Sequence, residues 1–362
     1  MLLYIFVTVF PLLIYFLYVK VVEEVTPENQ KHTQKYIDKR FWWLMLAALP
    51  MFLLIAIRHG YMGADTGMYQ RYFKEMLTIP WSEVIGTKDF EPGFLIFEKL
   101  LTYVTTSPLI YQMIYTLIYM LTVVSFANRL KAEQFSFLFF FATMGIYTFM
   151  YTALRQCLAM CICLFSYRFV ENRKIIKFAI CIALAFTFHK SSILFAIAYF
   201  LYNRRINILN GAIYVVAGVI SFLNIEFFQE WFNEQLDYEY GIEATDTGYI
   251  FTILVIIITV FAMVMIFNFK KHDKHTQGVM NLNYIALLFW VLRIATRVAE
   301  RPSYYFLFFT AALLCYGVNA PRRASDRVFY RLIVYGVMMG LFIYRMSTNF
   351  ANLIPFLVYE GV

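Results

Sequence analysis

The run FWWLMLAALPMFLLIAIRHGYMGADTGMY, residues 41–69, decides what kind of chain this is. Phe41 to Ile57 carries no charge and is long enough, as a helix, to cross most of a bilayer's hydrocarbon core. Arg58 closes that apolar run. A polar loop follows at once, in which Gly60, Gly63 and Gly67 alternate with Asp65, Thr66 and the ring of Tyr69. A lone arginine at a helix end is often no more than a snorkelling side chain. An arginine followed by close turns, a carboxylate and an aromatic ring is also the composition of a binding rim at a membrane edge.

The apolar pattern recurs along the chain. Runs fall near 2–22, 41–57, 107–128, 135–151, 153–170, 174–188, 190–202, 206–223, 249–268, 279–293, 303–319 and 328–346. They predict an all-α integral membrane protein of about twelve transmembrane helices. The range is ten to fourteen, because 174–188 and 190–202 are short for a span of about 20 residues and together make a candidate broken or re-entrant element. With 61% hydrophobic and 15% charged residues and a mean hydropathy of +0.63, no stretch is polar and long enough for a soluble domain. Residues 1–362 therefore read as a single polytopic membrane domain. Cys157, Cys161, Cys163, Cys181 and Cys315 all lie inside apolar runs without metal-type spacing, as small core residues do. The run 2–22 lacks a basic flank and a small-residue cleavage site, so it is expected to stay as a permanent helix. The net charge of +8 fits basic loops facing anionic lipid rather than nucleic acid.

Lysines and arginines gather in alternate loops: Lys31/Lys35/Lys39/Arg40, Arg129/Lys131, Arg168/Arg173/Lys174/Lys177, Arg204/Arg205, Lys270/Lys271/Lys274 and Arg322/Arg323/Arg327/Arg331. The positive-inside rule makes these cytoplasmic and puts both termini outside. The outer loops are then 58–106 and 224–248, the second rich in acidic residues and without lysine or arginine. Arg58, Asp65, Glu91, Arg155, His189, Arg293, Arg297 and Arg301 all land on the outer side, where basic residues run against the topogenic bias. Within loop 58–106, Trp81 suits an interfacial position. Phe94 to Tyr103 carries Glu98 and Lys99 and is too short to span, so a helix on or dipping into the outer surface is expected.

Ionisable residues at membrane depth are expensive and point to function. Arg155 sits between two apolar runs beside Gln156, and His189 ends a polar break, Thr187-Phe188-His189-Lys190. Arg293, Arg297 and Arg301 recur every four residues, which on one continuous helix would line three guanidinium groups along a face. Like charges so placed repel unless an anion sits among them, and diphosphate matches the guanidinium fork. Asp65-Thr66-Gly67 and Asp246-Thr247-Gly248 spell the aspartic-protease triplet twice, but no alternating strand pattern flanks either copy. There is no nucleotide-type glycine loop, no zinc spacing and no Asp-x-Asp pair, so neither metal nor cofactor is expected.

These pieces resemble the EpsG family of bacterial membrane proteins, the Wzy-type polysaccharide polymerases. The matching stretches are Arg58 with Gly63-Ala64-Asp65-Thr66 and Tyr69, then Phe90-Glu91-Pro92-Gly93-Phe94. Leu154-Arg155-Gln156 with Ala159, Phe188-His189-Lys190-Ser191, and the late arginines leading into Tyr304-Tyr305-Phe306 complete the set. Loops 224–248 and 320–327 match nothing recognisable. The resemblance implies a GT-C-like polytopic glycosyltransferase architecture. It also implies a site on the outer face of the bacterial cytoplasmic membrane. The implied substrates are oligosaccharide repeat units on undecaprenyl diphosphate, both donor and acceptor, with a chain-length regulator as a further protein partner.

Glycosyl transfer with a diphosphate leaving group needs charge stabilisation and a base. Arg155, Arg297 and Arg301 are expected to hold the diphosphate, helped by Arg58 and Arg293. His189 is the favoured base, with Asp65 orienting the acceptor or replacing it. Gln156, Tyr69 and Glu91 complete the expected contacts to diphosphate and sugar. Two other classes compete: a lipid-linked oligosaccharide flippase or exporter, and a membrane O-acyltransferase. An arginine cluster confined to the outer side, and the lack of an evident internal repeat, favour the polymerase.

Overall fold

The computed structural model describes residues 1–23, 39–130, 134–206, 208–227, 229–230, 247–269, 273–349 and 352–360. Lys31, Lys35, Lys131, Lys270, Lys271 and most of loop 224–248, with Asp246, lie outside the described residues. The regular structure described is helical, apart from one isolated β-bridge between Arg58 and Val358. In order the helices are α1 (Leu2–Glu23), α2 (Arg40–Ala56), α3 (Thr66–Met76), α4 (Trp81–Val84), α5 (Pro92–Leu101), α6 (Pro108–Arg129), α7 (Gln134–Thr143) and α8 (Ile146–Phe149). There follow α9 (Leu154–Glu171), α10 (Ile175–Phe186), a 3-10 run (Lys190–Ala196), α11 (Ile197–Leu201), α12 (Ile208–Leu223), α13 (Thr247–Asn268) and α14 (Lys274–Leu292). A short 3-10 turn (Arg297–Ala299), α15 (Glu300–Val318) and α16 (Ala324–Ser347) complete the chain.

By length and apolar composition, four of the described helices can cross a membrane unaided: α1, α6, α13 and α16. Five shorter apolar helical stretches, among them α2, α7 and α10, accompany them. The chain is therefore an all-helical membrane protein. Three segments depart from the sequence expectation. Run 135–151 is not one helix: it stops at Thr143, turns at Met144–Gly145, and resumes as α8. The Arg345 guanidinium packs over that turn and donates to the Met144 carbonyl at 3.4 Å. Run 190–202 begins as a 3-10 segment. The third is the segment of late arginines, 293–301, which is not one continuous helix.

The chain divides into two compact units, Met1–Phe165 with Thr187–His189 and Ile333–Val362, and Ser166–Phe186 with Lys190–Leu332. In the first unit, α1, α2, α6 and α7 pack together. Every residue of α7 is buried, as a helix apolar on all sides requires. Against α6 lies a small layer made from the loop after α2. Helix α3 is amphipathic, turning Tyr69, Phe73 and Met76 inward at helical spacing. Phe73 stacks on Tyr111 of α6 at 4.3 Å, and Tyr69, Phe94, Leu101, Tyr115 and Leu158 close the same cluster. In the second unit α13, α14 and α15 form the core, and α15 also packs on the 3-10 run through Phe195 and Phe306, whose rings stack at 5.4 Å.

Phe73 is wholly buried in the layer that carries loop 58–106. Phe73→Ala should cost about 3–5 kcal/mol through the cavity it leaves. A fluorescence-detected melt of the purified protein in detergent should show a clear fall in midpoint, whereas Leu100→Ala at the exposed face should leave it nearly unmoved.

Candidate functional site

The site is built from how α5 begins. Pro92 at the first helical position carries no N–H, and the next two amides need acceptors from outside the helix. The Thr187 carbonyl supplies one, accepting from Gly93 N at 2.8 Å and Phe94 N at 3.3 Å. A Cβ on Gly93 would lie 2.1 Å from the Thr187 hydroxyl, so only glycine lets the two segments meet this closely. That meeting delivers His189, two residues on, to Glu91, the residue that precedes the helix.

Glu91 is buried, and both of its oxygens are engaged. Oε1 lies 2.9 Å from His189 Nδ1, and Oε2 accepts from Arg155 Nη1 at 2.5 Å. Arg155 is held on two further sides: its Nε donates to the Tyr69 hydroxyl at 3.3 Å, and its guanidinium lies 4.1 Å from the centre of the Phe90 ring. Burial alone would raise the Glu91 carboxyl. The hydrogen bond and charge of His189, with the charge of Arg155, overcome it and hold the group down at about 2. Tyr69, Glu91, Arg155 and His189 are thus in direct contact although 120 residues separate the first from the last.

Tyr69 and Leu154 also line a narrow, partly open pocket whose other walls include Arg58, Gln70, Tyr111, Gln112 and Tyr115. Arg58 does not snorkel. It is 4% exposed, with Nε donating to Thr66 Oγ1 at 3.0 Å and Nη1 to the Ile55 carbonyl at 2.6 Å, and it lies 5.4 Å from the centre of the Tyr151 ring. Among the described residues no carboxylate forms an ion pair with it. Burial lowers the guanidinium to about 10, opposed by nearby Tyr151, so it keeps its charge at neutral pH. Thr66 Oγ1 in turn donates a hydrogen bond to the Tyr151 carbonyl at 3.0 Å. Gly63, in the left-handed region at φ 79°, brings the loop so close to Tyr151 that a Cβ would meet its carbonyl oxygen at 1.9 Å. The backbone of Arg58 is clamped from outside: His59 N donates to the Leu357 carbonyl and Tyr359 N to the Ile57 carbonyl, at 2.9 and 2.8 Å.

Asp65 is half-buried and opens α3 one residue before Thr66, without a side-chain hydrogen bond that caps the helix. Gln156 is buried beside Arg155 on α9. The late arginines, all in the second unit, do not share one helical face, and here the sequence expectation is corrected. Helix α14 ends at Leu292 with Arg293 as its C-cap, and Thr296 takes extended backbone and caps a separate 3-10 turn that begins with Arg297. Arg301 belongs to α15, where Pro302 falls harmlessly in the first turn. Arg293 is 2% exposed and its Nε donates to the partly exposed Glu300 at 2.8 Å, an ion pair that already supplies a countercharge.

Several site groups escape sequence reasoning. The Thr187 carbonyl has no side-chain signature. Gln70 donates to Gln112 at 3.0 Å, and Gln112 in turn donates to the Ile55, Ala56 and Arg58 carbonyls, ending α2. Gln112, a polar residue inside the apolar run 107–128, was the available signal. Among the described residues no group of three or more His, Cys, Asp or Glu could hold a metal ion.

The Glu91 carboxyl carries a stability signature. Its folded-state value lies below the ordinary 4.5, so its contribution is complete above pH 4.5 and is lost as pH falls from there toward 2. The melting midpoint of wild type should exceed that of Glu91→Gln at pH 6, and the gap should narrow steadily between pH 4.5 and 3. A gap that stayed constant would mean that the carboxylate charge is not what His189 and Arg155 hold.

A family model described as the EpsG family matches residues 41–360, from the start of α2 to the tail that clamps Arg58. No curated protein and no solved structure matches the chain. The matched span takes in every residue of the Glu91 cluster and of the cavity wall, and on that footing the chain belongs to the EpsG family, whose members are Wzy-type polysaccharide polymerases.

Proposed function

We propose that this chain lengthens a polysaccharide by joining oligosaccharide repeat units carried on undecaprenyl diphosphate, at the outer face of the bacterial cytoplasmic membrane. Transfer is glycosyl transfer: the acceptor hydroxyl attacks the anomeric carbon of the donor, its proton goes to a base, and the lipid diphosphate leaves with the electrons of the broken C–O bond. The observation that carries the proposal is one buried carboxylate, Glu91, holding a histidine and an arginine beside a cavity lined by a second, uncompensated arginine.

Each group has a role. Glu91 at Nδ1 favours the tautomer with the proton on that nitrogen, which makes Nε2 of His189 the basic one. Arg155, fixed by Glu91, Tyr69 and Phe90, and Arg58, deep in the cavity wall, present positive charge that needs no reorganisation as the diphosphate departs. Asp65 is assigned to orienting the acceptor. Gln156 stays assigned to substrate contact, and Arg297 and Arg301 in the second unit to anion binding. Twelve spans, a GT-C-like architecture and an outer-facing site belong to the same proposal, supported by the apolar runs and by the alternation of basic loops. A chain-length regulator is the protein partner it implies.

The decisive experiment gives purified protein in liposomes a lipid-linked repeat unit. Longer glycans are expected, in excess chelator as well as without it. Movement of the lipid between leaflets without elongation would make the protein a flippase instead. Within that assay Arg155→Ala should lower kcat/KM about 100- to 1000-fold. Arg155→Lys should recover little, because an ammonium cannot span the Tyr69 and Glu91 contacts together. His189→Ala should remove most of kcat, and wild-type product length and yield in that variant would withdraw the base assignment.

A further inference from the structure

Glu98 on α5 is fully buried, and its oxygens are used unequally. Oε1 accepts from both the Tyr111 and the Tyr115 hydroxyl, the second at 2.8 Å, while Oε2 has no hydrogen-bond partner among the described residues. The neighbouring Lys99 does not pair with it, because Lys99 Nζ donates to the Met76 and Ile79 carbonyls at 3.0 and 2.6 Å. Burial pushes the Glu98 carboxyl up to about 8, against the pull of the two phenol hydrogen bonds, so it is mostly protonated and uncharged near pH 7. A protonated carboxyl carries its proton on one oxygen and offers the other as an acceptor, which matches the one-sided use of Oε1.

Tyr111 and Tyr115 both line the cavity that holds Arg58. A phenol has one proton. With both protons donated to Glu98, the two phenol oxygens keep only lone pairs to offer, while the guanidinium of Arg58 can only donate. The cavity thus has an accepting wall and a donating wall. Phosphate oxygens, all acceptors, are matched to Arg58 and mismatched to the tyrosines. Sugar hydroxyls, which donate, are matched to the tyrosines.

We infer that Glu98 is a positioning residue that fixes Tyr111 and Tyr115 as hydrogen-bond acceptors, making their wall a subsite for a sugar next to a diphosphate held by Arg58. The inference rests on the cavity belonging to the glycosyl-transfer site proposed above.

Binding is measured on the purified full-length protein with three probes: inorganic pyrophosphate, a polyprenyl diphosphate, and the same lipid carrying one sugar. Wild type should bind the sugar-bearing lipid more tightly than the bare one. Glu98→Leu frees both phenol protons and should weaken the sugar-bearing lipid about tenfold, with pyrophosphate and bare lipid unchanged. Glu98→Gln keeps an acceptor oxygen and should bind all three as wild type does. In a Tyr111→Phe/Tyr115→Phe background, Glu98→Leu should add nothing, which separates action through the tyrosines from a merely structural role. The inference is overturned if wild type does not discriminate between the two lipids. It is equally overturned if Glu98→Gln behaves like Glu98→Leu, or if Glu98→Leu weakens pyrophosphate as much as the sugar-bearing lipid. Selective sugar binding with this pattern, in a wild-type protein that never elongates glycans, would sink the polymerase reading and leave the subsite standing.

Discussion

A single buried carboxylate organises the first unit's polar interior. Glu91 sits where an isolated charge would be costly, and it is kept ionised because His189 and Arg155 reach it from separate parts of the chain. The dependence runs in both directions. Without Glu91, Arg155 would be a largely buried cation resting on a tyrosine hydroxyl and a phenylalanine ring, and His189 would lose the group that sets its tautomer. The pair of contacts exists because a helix start lacks internal partners for its first amides, and the Thr187 carbonyl satisfies them. The geometry of the Glu91 cluster is a by-product of backbone hydrogen-bond satisfaction at α5.

Arg58 follows a different logic. Its neighbours are hydroxyls, carbonyls and aromatic rings, so its charge is solvated by dipoles and not cancelled. Such an arrangement holds a cation in place while leaving its electrostatic demand unmet. Arg293 makes the contrast: equally buried, it is answered by Glu300 within its own unit. Of two arginines that look alike in sequence, one keeps its charge among dipoles and the other is paired with Glu300 beside a helix junction.

Much of this was legible before any coordinates. Arg58, Glu91, Arg155 and His189 announce themselves because ionisable residues beside apolar runs need a reason to be there. The membrane class follows from the runs themselves. What the sequence could not convey was continuity. A spacing of four places arginines on one face only if a single helix carries them, and the extended backbone at Thr296 breaks that condition between Arg293 and Arg297. Run 135–151 fails for a related reason, since the guanidinium seated over its turn comes from Arg345, two hundred residues away. Long-range backbone contacts such as Thr187 to Gly93 leave almost no compositional trace, apart from the glycine that makes room for them.

Glu98 shows how a group can shape a site without entering it. In the sequence it was only evidence that 94–103 does not span. In the structure it accepts from two tyrosines that line the pocket, and in the proposed subsite the direction of those hydrogen bonds would set what is recognised. Neutral carboxyls suit this task better than carboxylates: an ionised Glu98 would draw cations into the layer, whereas a protonated one orients two hydroxyls and leaves the local charge to Arg58. The division between Glu91, held ionised by its partners, and Glu98, pushed toward neutrality by its isolation, therefore separates two tasks. In the proposed polymerase, one carboxyl would fix the groups that move charge during transfer, and the other the groups that recognise an uncharged sugar.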